Sequence, residues 1–358
     1  MSKANAARPG LSAQSGQTLS DCAALFSREH IQNIASERIS TGFPALDRGL
    51  NGGLSKGLYV LGAVPGLGKS TLALQIAYNL SSQGIPVLYF ALEMSRAWIT
   101  AKSICRADFT LHHQAGFQAS DLLDSRKARS FSEAEWTRIN QAREMIQREG
   151  EHLYLYEQGP NLAHIGHIQE HIRAFQAAHS GRYGDRPMMV VVDYLQILAP
   201  RDTLLKATDK QIVDDNVREL CSMRDRQNVI ILLISALNRG SYDSGPTLSS
   251  FKESGSIEYS ADVILGMQYQ GNNGPKFSLE EAKAQNPRQL ELTLLKMRYG
   301  QDGVRIPLLF YSESSCFQQP DGAGQAQQTR LQELRKMLSV YPVQYHDGFH
   351  QRARRKKG

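Results

Sequence analysis

The chain has 358 residues, 41% of them hydrophobic, which is enough for one large or two small domains with a buried core. No run of about 18 apolar residues occurs, so we expect no membrane span, and the first residues lack the apolar stretch of a signal peptide. The four cysteines form no closely spaced pair, so we expect reduced thiols in a cytoplasmic protein.

The net charge of +6 is concentrated at the C-terminus, where the last eight residues include three arginines and two lysines. The rest of the chain is therefore nearly neutral, which excludes a broadly basic surface. A polyanion would have to be held by a few placed residues or by this tail. A basic terminal run is as often a solvated tail as a DNA-binding one, and both interpretations stay open.

Three regions are predicted along the chain. Residues 1–38 begin with a stretch rich in Ala, Ser, Gly and Gln, which we expect to be disordered, followed by one helix near 21–36. Residues 39–317 are predicted to form one α/β domain, because short apolar runs alternate with helical stretches. Residues 318–358 are predicted to be a linker, a short helix near 329–340 and the basic tail.

Eight strands are predicted in the α/β domain, and long helical stretches separate several of them. This alternation favours a mostly parallel sheet flanked by helices on both faces. Residues 97–150 are mostly polar and helical and form an insertion between strands. The last two strands are predicted to form an antiparallel C-terminal β-hairpin. The predicted strands are Leu58–Leu61, Val87–Leu92, Leu153–Tyr156, Met188–Val192, Val229–Ile234, Val263–Met267, Leu290–Lys296 and Ile306–Phe310.

A glycine-rich loop follows the first predicted strand and leads into a segment with helical apolar spacing. Such a loop places backbone N–H groups around phosphates, and the helix N-terminus adds partial positive charge. We therefore predict a site for ATP and Mg²⁺, in which Lys69 reaches the β- and γ-phosphates and Ser70 holds Mg²⁺. The strict pattern has glycine where this chain has Ala63. The predicted nucleotide-binding residues are Gly66, Gly68, Lys69, Ser70 and Thr71.

Two carboxylates follow apolar strands of the same predicted sheet. Asp193 ends a continuous apolar run, and a carboxylate at the carboxyl end of a central strand faces the phosphate loop and can hold Mg²⁺. Glu93 follows the second strand and is predicted to orient and deprotonate the attacking water. The alternative for each is an ordinary acidic residue at a turn or a helix cap.

Five further motifs follow the loop in order: FALEMS (90–95), VDYLQIL (192–198), SALNR (235–239), ESGSIEYSAD (253–262) and KMRYG (296–300). Together they resemble the C-terminal motor domain of DnaB-type replicative helicases, over roughly residues 39–317. The resemblance implies a RecA-like P-loop NTPase fold and a hexameric ring of identical subunits. It also implies ATP-driven movement along single-stranded DNA through the central channel.

The resemblance also assigns residues to the subunit boundary and to DNA. Lys296 and Arg298 are two apart on a predicted strand, so their side chains share one face, and in the family such a pair reaches the γ-phosphate of a neighbouring subunit. The loop with Lys252, Glu253 and Gly255 resembles the channel loop that contacts DNA, and residues 201–210 resemble a second one. The alternatives are a solvated strand face and plain connecting loops.

Two features depart from the family pattern. The family commonly has glutamine at the position of Ala236, so we expect hydrolysis less tightly coupled to DNA, unless Ser235 or Asn238 substitutes. Residues 1–38 are too few for the family's helical collar, so we expect no usual primase recruitment, although a loader or other replication protein remains an expected partner. The leading hypothesis is a replicative DNA helicase or translocase. The alternative is a RecA-like DNA- or partner-binding ATPase that uses ATP as an assembly switch without unwinding.

Overall fold

The structure is a computed structural model, and it describes residues 18–25, 27–28, 38–157, 164–184, 186–199, 207–238, 245–251, 255–272, 274–275 and 277–320. The chain divides into two compact units, residues 1–38 and residues 39–358. In the first unit, helix α1 spans Leu19–Leu25, two residues ahead of the predicted start of that helix. Most of the rest of that predicted helix, the helix near 329–340 and the basic tail lie outside the described residues.

The second unit is built around a sheet of nine strands. In space their order is β3-β2-β4-β5-β1-β6-β7-β8-β9; the first six are parallel and the last three antiparallel. All eight predicted strands and the C-terminal hairpin are confirmed, and the ninth strand was missed. The strands are β1 (Gly57–Ala63), β2 (Val87–Ala91), β3 (Leu153–Glu157), β4 (Met188–Asp193), β5 (Val229–Ala236), β6 (Val263–Tyr269), β7 (Arg288–Met297), β8 (Arg305–Tyr311) and β9 (Cys316–Gln318).

Helices cover both faces of this sheet. Between β2 and β3 four of them form the predicted helical insertion, which is confirmed. No helix among the described residues is both long and apolar enough to cross a membrane. The helices of the second unit are α2 (Pro44–Gly49), α3 (Lys69–Ser81), α4 (Arg96–His112), α5 (Ala119–Leu123), α6 (Ser125–Arg129), α7 (Glu133–Glu149), α8 (Ile165–Tyr183), α9 (Asp209–Gln227), α10 (Gly255–Ser260) and α11 (Leu279–Ala284).

The sheet separates two apolar layers, because neighbouring side chains of a strand point to opposite faces. On β1, Tyr59 and Leu61 belong to the layer that includes the apolar residues of α3, whereas Leu58 and Val60 belong to the layer under α8 and α9. All seven residues of β1 are buried. A central strand covered on both faces needs continuous rather than alternating apolar sequence, which is why these strands could be predicted.

The register of the strands decides which residues meet at each end of the sheet. Ala63 of β1 pairs with Ala236 of β5, and Ala91 of β2 pairs with Asp193 of β4, so the loops that follow these strands emerge at one edge. At the other end, Val263 opens β6 and pairs with Met297 of β7. The sheet therefore has a phosphate-loop edge and an opposite edge, which we call the far edge.

Candidate active site

The phosphate loop, residues 64–68, joins β1 to α3 at the phosphate-loop edge. Gly66 and Gly68 have φ angles of +85° and +89°, in the left-handed region that favours glycine. A Cβ on Gly68 would also lie 2.9 Å from the ring of Phe310 and 3.0 Å from that of Phe317. Ala63 is the last residue of β1 and is fully buried, so the departure from the strict glycine pattern falls in the strand rather than in the loop.

Lys69 opens α3 and folds its side chain back over the loop. Its Nζ donates to the carbonyl oxygens of Ala63 at 2.8 Å and Val64 at 3.4 Å. Burial lowers the pKa of Lys69, and the nearby carboxylates of Asp193 and Glu93 partly oppose that shift. The amine is thus a partly desolvated cation held at the mouth of the loop by weak neutral acceptors, which phosphate oxygens can replace.

Asp193 ends β4 beside the first turn of α3, and its side chain is almost fully buried. The hydroxyl of Ser70 donates to Oδ1 at 3.0 Å, and the hydroxyl of Tyr89 donates to Oδ2 at 2.8 Å. Burial raises the pKa of Asp193, while these two hydrogen bonds lower it. The Ser70 hydroxyl and the Asp193 carboxylate are oxygen ligands of the kind that Mg²⁺ prefers, so the residues fit that ion.

A cleft of about 480 Å³ gathers these groups. Glu93, exposed and two residues beyond β2, lines it together with the phosphate loop and Asp193. Thr71 lies in the first turn of α3 and lines it as well. The predicted nucleotide, metal and general-base residues are therefore neighbours in space.

Several residues of this cleft were missed by the sequence analysis. Lys102 extends from α4, and its Nζ donates to Oγ1 of Thr71 at 3.3 Å. Arg288 opens β7 and donates to the carbonyl oxygen of Gly66 at 3.4 Å. Phe310 and Ser312 come from the end of β8. Lys102 and Arg288 belong to none of the recognised motifs. Each reaches the cleft from an element that is distant from the phosphate loop in sequence.

Ala236 also lines the cleft, and its surroundings bear on one expectation. Its N–H donates to Oε1 of Gln196 at 3.1 Å, and Nε2 of Gln196 donates to the Ser235 hydroxyl at 3.0 Å. Ser235 is fully buried in this network, and Nδ2 of Asn238 donates to the carbonyl of Ser249 at 3.2 Å. Ser235 and Asn238 are not among the residues that line the cleft.

Lys296 and Arg298 lie at the far edge. Lys296 Nζ donates to the carbonyl oxygens of Glu258 and Ala261, the latter at 2.9 Å. Arg298 donates to the carbonyl of Tyr259 at 3.1 Å and pairs with Asp262 at 3.3 Å. Both side chains thus converge on one segment, although β7 ends at Met297 and Arg298 lies beyond the strand on which it was predicted.

The phosphate loop of the same chain is out of reach of this pair. Lys296 pairs with Ile264 near the start of β6, whereas the loop leaves β1 after Ala63, which is level with Met267. Along β6, the position opposite Lys296 and the position opposite Ala63 are three residues apart, a distance of about 10 Å. The phosphate loop begins beyond that distance. Lys296 and Arg298 therefore lie at the end of the sheet opposite the cleft of their own chain.

The predicted DNA-contacting loop is described only in part. Lys252 and Glu253 lie outside the described residues, and so do residues 201–206 of the second predicted channel loop. Gly255 is exposed and is the first residue of α10. The same short helix supplies the carbonyl groups that hold Lys296 and Arg298, so this loop and the far-edge cations are attached to one element.

The family follows from comparison with known proteins. The family model of the DnaB-like helicase C-terminal domain matches residues 38–319, most of the chain. This chain belongs to that family. The resemblance found from five motifs is therefore confirmed, and the DnaB-like domain coincides with the nine-stranded unit described above.

Relatives of this DnaB-like domain are larger proteins. It is 32% identical over 233 residues to the replicative DNA helicase DnaB of Leifsonia xyli subsp. xyli, an alignment that covers 63% of this chain and 46% of that protein. It is 26% identical over 283 residues to the replicative DNA helicase DnaC of Bacillus subtilis, with coverage of 78% and 56%. The chain spans about half the length of these relatives.

Two solved structures have the same fold as this DnaB-like domain. One of them, an ATPase domain solved on its own, superposes with a TM-score of 0.69 at 23% identity, over 86% of this chain and all of that one. The other, a DnaB-like replicative helicase studied with its interactions with primase, superposes with a TM-score of 0.67 at 23% identity, over 84% of this chain and 66% of that one. The expected RecA-like fold, a mostly parallel sheet flanked by helices, is confirmed.

Proposed function

We propose that this chain is the motor of an ATP-dependent DNA helicase or translocase that acts on single-stranded DNA in replication. The observation that carries the proposal is the separation, on one sheet, of the cleft residues from a pair of cations at the opposite edge. Lys69, Ser70, Glu93 and Asp193 line one cleft, while a pair of cations stands at the far edge. An active site divided in this way suits a ring of identical subunits, in which each subunit interface joins one cleft to the cations of the next subunit.

Within the cleft each residue has a defined task. The amine of Lys69 exchanges the loop carbonyls for oxygens of the β- and γ-phosphates, and the N–H groups of Gly66, Gly68 and Thr71 surround the phosphates. Ser70 and Asp193 hold Mg²⁺, which when bound neutralises phosphate charge. Glu93, being exposed beside them, orients the attacking water and takes its proton.

The far-edge cations complete the site in trans. Lys296 and Arg298 are held on backbone carbonyls and on Asp262, so they are positioned before any neighbour docks. A cation that enters from a neighbouring subunit stabilises charge on the transferring phosphoryl group and is worth about 10³–10⁵ in rate. Hydrolysis then depends on subunit contact, and a hexamer is the ring we propose.

We place single-stranded DNA on the loop that contains Lys252, Glu253 and Gly255. The described end of that loop begins α10, to which the far-edge cations are hydrogen-bonded. A loop of small and polar residues contacts the phosphate backbone independently of base identity, as a motor that passes any sequence requires. The same attachment connects DNA contact to the neighbour's nucleotide.

The test is displacement of a labelled strand from a forked DNA substrate by the full chain. We expect displacement that requires ATP and Mg²⁺, that Lys69→Ala abolishes, and that Lys296→Ala with Arg298→Ala lowers by at least about a thousandfold. The control is Arg305→Ala, which removes an exposed cation from β8 of the same hairpin and should keep the wild-type rate.

Two results would contradict the proposal. DNA binding with ATP-dependent assembly but no strand displacement would favour the assembly switch instead. Full ATPase activity in a strictly monomeric preparation, unchanged by loss of both far-edge cations, would remove the basis for a composite site. Native mass measurement with an ATP analogue and single-stranded DNA distinguishes the oligomeric states.

A further inference from the structure

Lys102 is a cation of the cleft to which the mechanism above gives no task. It lies two turns into α4, the first helix of the insertion, and points its amine at the first turn of α3. Its Nζ is 3.3 Å from Oγ1 of Thr71, and the residue lines the same cleft as Lys69 and Asp193. Burial lowers the pKa of Lys102, while the charge of Asp193 opposes that shift.

The amine of Lys102 has more donors than acceptors. An ammonium group carries three N–H donors, and Thr71 is its one hydrogen-bond acceptor among the described residues. No carboxylate in the described part of the chain lies within ion-pair distance of it. Three other cations of the insertion are ion-paired: Arg96 with Glu157, Lys127 with Asp121, and Arg138 with Asp108.

The position of the amine indicates which phosphate group it would contact. Lys69 lies on the loop side of the site, on the carbonyls of Ala63 and Val64, and reaches toward the terminal phosphates. Lys102 lies on the other side, at Thr71, which follows Lys69 and Ser70 and is the last of the three residues of α3 that line the cleft. Because Lys69 reaches the terminal phosphates, we expect the phosphate that carries the nucleoside to lie toward Thr71.

We propose that Lys102 is a second phosphate-binding lysine, which contacts the α-phosphate of the bound nucleotide from the side of Thr71. The inference rests on the proposed nucleotide site and adds to it a residue that binds diphosphates and triphosphates alike. Because the contact is the same before and during hydrolysis, it contributes to nucleotide affinity rather than to the chemical step.

A second consequence concerns Mg²⁺. Lys102 interacts electrostatically with Asp193, so its charge competes with a divalent ion placed at Ser70 and Asp193. Removal of the amine should weaken nucleotide binding without weakening the affinity of the site for Mg²⁺. A general loss of structure in the cleft would weaken both.

The experiment is a titration of the full chain with fluorescent ADP and with unlabelled ADP and ATP as competitors, in EDTA so that no hydrolysis occurs. We expect Lys102→Gln to raise the dissociation constants of ADP and ATP by the same factor, about tenfold. Lys102→Arg should restore most of that loss. Lys127→Gln, the same charge change at an exposed position of the insertion, should bind as the wild type does.

Steady-state hydrolysis supplies the second readout. For Lys102→Gln we expect KM to rise about tenfold while kcat stays within about twofold, with an Mg²⁺ midpoint that does not rise and an unchanged Tm without nucleotide. ADP affinity within twofold of the wild type would overturn the inference. A larger loss for ATP than for ADP, or a lowered Tm that Lys102→Arg does not rescue, would overturn it as well. If the wild-type chain bound no nucleotide, the proposed function itself would fail.

Discussion

The two glycines of the phosphate loop have similar φ angles but different surroundings. A Cβ at Gly66 would meet open space, whereas a Cβ at Gly68 would press on the stacked rings of Phe310 and Phe317, whose centroids are 4.3 Å apart. A side chain at either glycine would therefore be strained by the positive φ angle, whereas only a side chain at Gly68 would also clash with neighbouring rings. Comparing alanine variants of the two glycines separates these two costs.

We expect Gly68→Ala to lower the free energy of unfolding by about 1–3 kcal/mol more than Gly66→Ala does, because only the former must displace packed rings. Both variants also carry the cost of a left-handed φ, about 1 kcal/mol. Urea unfolding without nucleotide measures the difference. Equal losses would show that the rings move aside freely.

Tyr89 controls the charge state of Asp193 from within the sheet. Burial raises the pKa of Asp193 above its usual value, and a carboxyl with a raised folded pKa makes folding less favourable as pH rises through that window. The Tyr89 hydroxyl limits this penalty, because its hydrogen bond favours the charged form.

Tyr89→Phe should therefore raise the pKa of Asp193 further and destabilise the protein by about 1–3 kcal/mol at pH 8. The loss should shrink as pH falls through the raised pKa of Asp193, because protonation removes the charge that the hydroxyl stabilises. Urea unfolding at a series of pH values below pH 8 tests this. In an Asp193→Asn background the pH dependence of the loss should disappear; a loss that is independent of pH in both backgrounds would contradict the account.

At this scale the sequence indicates only part of the cleft. Glu93 and Asp193 follow apolar strands, so their common location could be predicted from strand direction alone, and their catalytic roles stay predictions. Lys102 and Gln196 could not be found in this way. Each depends on how a helix or a loop packs across the strands, and no spacing in the sequence records that packing.

Among the described strands, β9 is the one that sequence patterns did not reveal. It has three residues, too few for any periodicity, and it is held by a partner 242 residues away. Nε2 of Gln75 donates to the carbonyl oxygen of Phe317, and the N–H of Phe317 donates to Oε1 of Gln75, both at 2.8 Å. The eight predicted strands, by contrast, are four to seven residues long and rich in apolar residues, so the local sequence is enough to recognise them.

The amide of Gln75 is therefore expected to hold β9 in place. Through β9 it also positions the ring of Phe317, which packs beneath Gly68 of the phosphate loop. We expect Gln75→Met to lower the free energy of unfolding by about 1–3 kcal/mol, because it keeps the side-chain volume but leaves buried backbone groups of Phe317 unpaired. Hydrogen exchange at Phe317 should accelerate more than exchange in β4. Gln83→Met, an exposed change near the end of α3, serves as the control.

For the whole molecule, the composite site predicts complementation between two inactive proteins. A subunit with Lys69→Ala keeps its far-edge cations, and a subunit with Lys296→Ala and Arg298→Ala keeps its phosphate loop. Each subunit interface joins the cleft of one subunit to the far-edge cations of the next. In rings formed from equal amounts of the two variants, about a quarter of the interfaces therefore combine an intact phosphate loop with intact cations.

We therefore expect each variant alone to have little ATPase activity and the mixture to recover up to about a quarter of the wild-type rate. The measurement is ATP turnover after the subunits are mixed and allowed to exchange. The matched control mixes the Lys69→Ala protein with the Arg305→Ala protein. The ATPase activity of this mixture should fall in proportion to the fraction of subunits that keep an intact phosphate loop. No recovery in the first mixture, with subunit exchange shown by native mass measurement, would contradict a shared site.

The location of the two edges on one sheet has a mechanical consequence. β6 pairs with β1 on one side and with β7 on the other, so a single hydrogen-bonded strand lies between the strand that carries the phosphate loop and the strand that carries the far-edge cations. In the proposed ring, a subunit that tilted as it closed on its own ATP would move its far edge by a comparable amount. That movement would reach the ATP of the next subunit, so the order of hydrolysis around the ring would be transmitted through a stiff β-sheet.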